Sequence, residues 1–128
     1  MPFDNPHQVP IGDLEILTDA RARIDRENSW VQGRFKDGDR HCLVAALSLA
    51  CGSRSFNNPN KTERRLVRLL AKRFPPDTPF WARIRFVPAR QRLMAFNDDS
   101  GTSHGNAVAL LDRAISDLAS MASVAVSL

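Results

Sequence analysis

Cys42, His104 and the run Asn97-Asp98 are the residues of this chain whose types could do covalent chemistry. A thiol nucleophile needs a base to take its proton and a third polar group to orient that base. The chain offers these in the order Cys, Asn/Asp, His. Cys42 lies in the stretch DGDRHCLVAALSLACG, residues 37–52, where a turn gives way to an apolar run. With Asp39 as N-cap, that run predicts a helix over residues 40–51 with Cys42 in its first turn. Unpaired N–H groups and the macrodipole there favour a thiolate.

Other features argue against a nucleophile. The predicted helix is apolar almost all round, and in such a setting a free cysteine behaves as a small hydrophobe. His41 would point about 100° away from Cys42 on a helix, which makes it a poor base. His104 falls near a predicted helix N-terminus, where the dipole disfavours imidazolium. No strand pair is evident to carry it. The structural reading of Cys42 is therefore preferred, with a papain-like thiol hydrolase or transferase (Cys42, His104, Asp98 or Asn97) as the alternative.

Metal chemistry has little to stand on. Asn97-Asp98-Asp99 supplies hard oxygens, but three neighbours in a row cannot all converge on one ion, and Ca²⁺ takes about 6–8 ligands. The run reads instead as a turn and cap, or as a clip that bonds the backbone of the Gly33–Gly38 loop. Cys42 and Cys51 have no histidines at zinc-ligand spacing. On one helix they lie on opposite faces and about 13 Å apart along the axis, too far for a disulfide. No metal and no cofactor is expected.

The charge pattern is the stronger lead. The formal net charge is +4 over 128 residues. Residues 1–53 carry six Lys/Arg against eight Asp/Glu, residues 54–92 eleven against two, and residues 93–128 one against four. A basic middle third thus lies between two mildly acidic ones. It can pair with its own flanks or face an acidic partner. Arg64, Arg65, Arg68 and Lys72 fit one helical face, and Arg83, Arg85, Arg90 and Arg92 follow, with Trp81 and Phe86 interleaved. Arginine suits phosphate and aromatic contacts. No helix-turn-helix, RRM or zinc-finger signature accompanies them. Trp81 is the better candidate for an exposed aromatic, and Trp30 for a core anchor.

The elements that must position these residues read as helices. Residues 1–10 hold three prolines and read as an extended arm. From Ile11 or Gly12, Leu14, Leu17, Arg21 and Ile24 follow helical spacing towards residue 28. Trp30 to Asp39 reads as a loop with a turn at Asp37-Gly38. Gly52 ends the second helix. Asn60 or Thr62 caps a third over residues 61–74, ended by Pro75-Pro76. Residues 78–81 read as a helical turn, Arg83–Val87 alternates like a short strand, and a helix follows over 88–96. Thr102 or Ser103 caps a last helix over 104–121, with a frayed tail at 122–128.

Three pieces occur together. They are Trp30-x-x-Gly33, then Gly38-x-x-x-Cys42-x-x-x-Ala46-Leu47, then Phe96-Asn97-Asp98 followed by a capped helix. In that order they resemble a family of small bacterial and phage proteins with W-x-x-G, G-x-x-C and W-N-D motifs and no assigned activity. The resemblance covers roughly residues 14–120. Phe96 stands where a Trp is usual, and Val44-Ala45-Ala46 where a Gly is common; both changes leave a packing role intact. The resemblance implies a fold unit rather than a reaction, with Trp30, Cys42, Asn97 and Asp98 in one cluster.

The expectation is an all-α single domain over residues 11–121, with four main helices, one or two short ones and a buried second helix. No apolar run approaches the roughly 20 residues of a membrane span, and residues 1–10 lack a secretory pattern. A cytoplasmic binding domain is expected, its basic surface meeting nucleic acid or an acidic protein. Arg64, Arg65, Arg68, Lys72, Trp81, Arg83 and Arg85 are the candidate contacts. No membrane partner is expected.

Overall fold

The computed structural model describes residues 9–78, 84 and 86–127. The described residues are mostly helical, with one small two-stranded sheet among them. Helix α1 is Val9–Arg23, α2 is Leu43–Cys51, α3 is Lys61–Ala71, α4 is Ala89–Asp98 and α5 is His104–Ser127. A 3-10 turn, Glu27–Ser29, follows α1. Pro10 sits in the first turn of α1, where its missing N–H costs nothing. The helix therefore starts inside the segment expected to be an arm. At the other end, α5 continues to Ser127, through residues expected to fray.

The sheet corrects the all-α reading. Strand β1, Lys36–Asp37, pairs antiparallel with β2, Arg40–His41, in the register Asp37 to Arg40 and Lys36 to His41. Gly38, at φ 63°, supplies the positive φ that a two-residue hairpin loop needs. Arg40 and His41 are thus consumed by a ladder, and α2 starts at Leu43, not at residue 40. Cys42 is its N-cap; Asp39 is a hairpin-loop residue.

Leu43 to Ser48 of α2 are all buried. The helix is central because it has no polar face to give to water. Its end is set by Gly52, which adopts φ 70° and donates to Leu49 O at 3.2 Å. Around it, α1 packs along α5 and α2, and α3 packs along α4. The core joins Leu17 and Ile24 of α1, Leu43 and Leu47 of α2, Leu66 and Leu70 of α3, Leu93 and Phe96 of α4, and Leu110, Leu111 and Ala114 of α5. Leu110 completes the α5 stripe that the spacing of Leu111, Ala114 and Leu118 predicts. Phe74 and Phe96 stack with ring centroids 5.0 Å apart and close the α3–α4 end.

Within the predicted strand at residues 83–87, Arg83 and Arg85 lie outside the described residues. Val87 N–H donates to Ile84 O at 3.1 Å, a turn where alternation predicts extended chain. The helical turn predicted for residues 78–81 lies outside the described residues from Pro79 on.

Candidate functional site

Asn97, fully buried in the last turn of α4, ties three segments together. Its Oδ1 accepts from Trp30 Nε1 at 2.7 Å and from the backbone N–H of Leu43 at 3.0 Å. Its Nδ2 donates to Val31 O at 3.1 Å and to Asp98 Oδ1 at 2.9 Å. Both donors and both acceptor positions of the amide are thereby used. Asp98 Oδ1 also accepts from Gly33 N–H at 2.9 Å. Gln32 Nε2 donates to the carbonyls of Asn97, Asp99 and Thr102. The Asn97-Asp98 pair is thus clipped to the segment between Trp30 and Gly33.

Cys42 lies in the same region. Its Sγ accepts from Ala45 N–H at 3.4 Å and its carbonyl from Ala46 N–H at 2.9 Å. The sulfur and the Asn97 oxygen thus pair two N–H groups, of Ala45 and Leu43, that the start of α2 would otherwise leave open. Cys42 is 4% exposed. Burial pushes its thiol above the ordinary value, against the pull of the Ala45 and Val44 N–H groups, and the Asp98 carboxylate adds to the rise. That is the reverse of what a nucleophile needs.

His104 is engaged elsewhere. Its Nε2 lies 2.6 Å from Ile24 O, and since a carbonyl only accepts, Nε2 carries the proton. Its ring lies 6.0 Å from that of Trp30 at a 51° tilt. His104 and Cys42 line different cavities, and no hydrogen bond joins them among the described residues. The Cys42 cavity is small, about 170 Å³, and is shared with Met94 and Asp98. The half-buried His41 has its affinity for a proton lowered by burial and by Lys36 and Arg23. Cys51 is a free thiol pushed up to about 12 by burial and by the Glu63 carboxylate.

The basic block divides into paired and open cations. Arg65 forks onto both carboxylate oxygens of buried Asp13, Oδ1 at 2.9 Å, so this member of the expected contact set is neutralised within the fold. Arg73 is held by Asp117 at 2.7 Å. Arg90 pairs with Glu63 at 3.1 Å, donates to Phe56 O, and lies over the Phe35 ring at 5.7 Å. Arg64 and Arg68 are exposed on α3 and have no ion pair among the described residues. They share a groove of about 420 Å³ with Phe86, Pro88, Arg90 and Arg92. Lys72, exposed at the C-cap of α3, does not line it. Trp81, Arg83 and Arg85 lie outside the described residues.

Sequence reasoning missed Glu63, and it placed Phe86 among the arginines without choosing it as a contact. Glu63 is fully buried and accepts from Ser48 Oγ at 2.5 Å and Ser53 Oγ at 2.7 Å, besides Arg90. The signal available was its isolation, one of two acids among eleven cations. Phe86 is 87% exposed, the most exposed large hydrophobic side chain among the described residues, where the sequence favours Trp81. No group of three or more His, Cys, Asp or Glu that could hold a metal occurs among the described residues. No described helix is long and apolar enough to cross a membrane.

Residues 9–117 match a family of unknown function (DUF6197). No curated protein and no solved structure matches the chain.

Proposed function

The chain belongs to DUF6197, a family of unknown function, and we propose that it is a binding domain whose α3–α4 groove takes single-stranded nucleic acid. The carrying observation is Phe86, 87% exposed, beside Arg64, Arg68 and Arg92 in one groove. An aromatic ring left in water offers a stacking platform for a base. Guanidinium groups around it suit phosphate oxygens. Arg64 and Arg68 are one helical turn apart, so their side chains leave the same face of α3. Arg92 is oriented by the bond from its Nε to Val87 O at 2.9 Å, and its terminal nitrogens have no hydrogen-bond partner among the described residues. An acidic protein would use the same cations but would have no particular use for an exposed ring.

Fluorescence anisotropy with a labelled oligothymidylate tests the reading. With about three phosphates engaged, affinity falls roughly 20-fold between 50 and 200 mM salt. Arg64→Ala with Arg68→Ala flattens that slope. Phe86→Ala weakens binding by about 1 kcal/mol or more at every salt concentration. Absence of binding at low salt overturns the proposal. So does binding that polyglutamate displaces and that Phe86→Ala leaves unchanged, which would mark an acidic protein partner.

A further inference from the structure

A second cavity lies apart from the basic groove. It measures about 880 Å³ and opens beside Trp30 and His104, with Glu27, Asn28, Gln32 and Arg40 along its walls. That volume falls in the usual range for small-molecule sites. Three of its lining side chains are fixed by bonds to the fold. Trp30 Nε1 is held by Asn97, His104 Nε2 by Ile24 O, and Gln32 Nε2 by three carbonyls of the 97–102 segment. Anchored walls of this kind keep a site in shape without ligand and lower the ordering cost of binding.

The chemistry of the walls is specific. The Trp30 and His104 rings lie 6.0 Å apart at a 51° tilt, and both residues line the cavity. Arg40 and Glu27 line the same cavity yet do not pair with each other, and neither has an ion pair among the described residues. Asn28 brings an amide, which both donates and accepts. A matching ligand has a flat ring for Trp30 and His104, one anionic group for Arg40, and a ring N–H or amino group for Glu27 and Asn28.

We propose that this cavity is a second binding site, independent of the basic groove, for a small planar nitrogen heterocycle bearing one anionic group, a phosphate or a carboxylate. Arg40 takes the anion, and the ring lies against Trp30 and His104.

The test is the indole N–H resonance of Trp30 in a proton–nitrogen correlation spectrum. The chain has two tryptophans, and a Trp81→Phe background leaves Trp30 as the sole indole signal. Adenosine monophosphate and indole-3-carboxylate are titrated separately, with adenosine and inorganic phosphate as controls. A saturable shift from the nucleotide alone assigns a phosphate ligand, and one from the indole acid alone a carboxylate; a shift from both supports the shared chemistry. Arg40→Gln, an exposed change that leaves the rest of the spectrum in place, weakens binding about tenfold. The proposal is overturned if neither probe gives a saturable shift, if Arg40→Gln leaves the affinity unchanged, or if adenosine binds as well as its monophosphate. It is also overturned if the Trp30 shift vanishes in the Arg64→Ala, Arg68→Ala variant, since the nucleotide would then sit in the basic groove.

Discussion

The indole Nε1 of Trp30 donates to Oδ1 of Asn97 at 2.7 Å, across 67 residues of chain. The same oxygen accepts the first N–H of α2, from Leu43. One buried amide thus joins the segment before the hairpin, the start of the central helix and the end of α4. A fully satisfied buried network of this kind specifies a single arrangement of its segments, and a half-satisfied one is costly.

Asn97→Ala is expected to lower unfolding free energy by about 3–4 kcal/mol, because it strands the Trp30 and Leu43 N–H groups and the Val31 carbonyl. Trp30→Phe, which removes one donor and keeps an aromatic ring, costs about 1–2 kcal/mol. Urea unfolding of both single variants and the double variant checks this. The two changes couple, so the double variant loses less than the sum. Strict additivity would mean that the bond contributes nothing.

Glu63 and Arg90 give a second stability test. Glu63→Gln leaves Arg90 facing a neutral amide in a site with little water, at a cost of about 2–4 kcal/mol. Changing Arg90→Met in the same background removes the stranded charge and recovers part of the loss. Thermal unfolding of the wild-type chain and the two variants reads this directly. Equal stabilities would show that the pair is screened like a surface one.

The cysteines predict a reactivity pattern and a pH slope. With Cys51→Ala, Cys42 resists alkylation at neutral pH until the chain unfolds, because burial both covers the thiol and raises its pKa. Cys51, with Cys42→Ser, carries the pH slope. Its folded pKa of about 12 lies above the ordinary 9.0, so the unfolded chain loses that proton first. Stability therefore falls as pH rises through 9.0 towards 12, and Cys51→Ala removes that part of the slope.

Arg64 and Arg65 are neighbours in sequence with different expected roles. Arg65→Ala strands buried Asp13 and costs about 1–2 kcal/mol of stability, while oligonucleotide affinity is unchanged. Arg64→Ala weakens oligonucleotide binding and leaves stability within about 0.5 kcal/mol. Calorimetry paired with anisotropy separates the two.

The helices and most of the core were legible in the sequence. Leu66 and Leu70 of α3, the apolar run of α2 and the Ala107–Leu118 stripe carry helical periodicity, and burial follows from local spacing once a core exists. Asn60 and Gly52 mark helix ends by their own backbone chemistry. A clip from Asn97-Asp98 to the loop near Gly33 was readable as a possibility, since short amides and carboxylates seek nearby backbone. Only the tertiary structure decided which long-range partners those groups found. The hairpin at Lys36–His41 displaced the start of α2 because a ladder between four residues outcompeted a local N-cap at Asp39. Arg65 turned inward to Asp13 and Arg64 did not, although the two are adjacent in a block of like charge. Glu63 became a buried acid because α2, the 53–60 loop and α4 all bring donors to it. Periodicity fixes which face of an element is apolar. The pairing of charges and amides depends on which elements meet, and that is settled by packing across the whole chain.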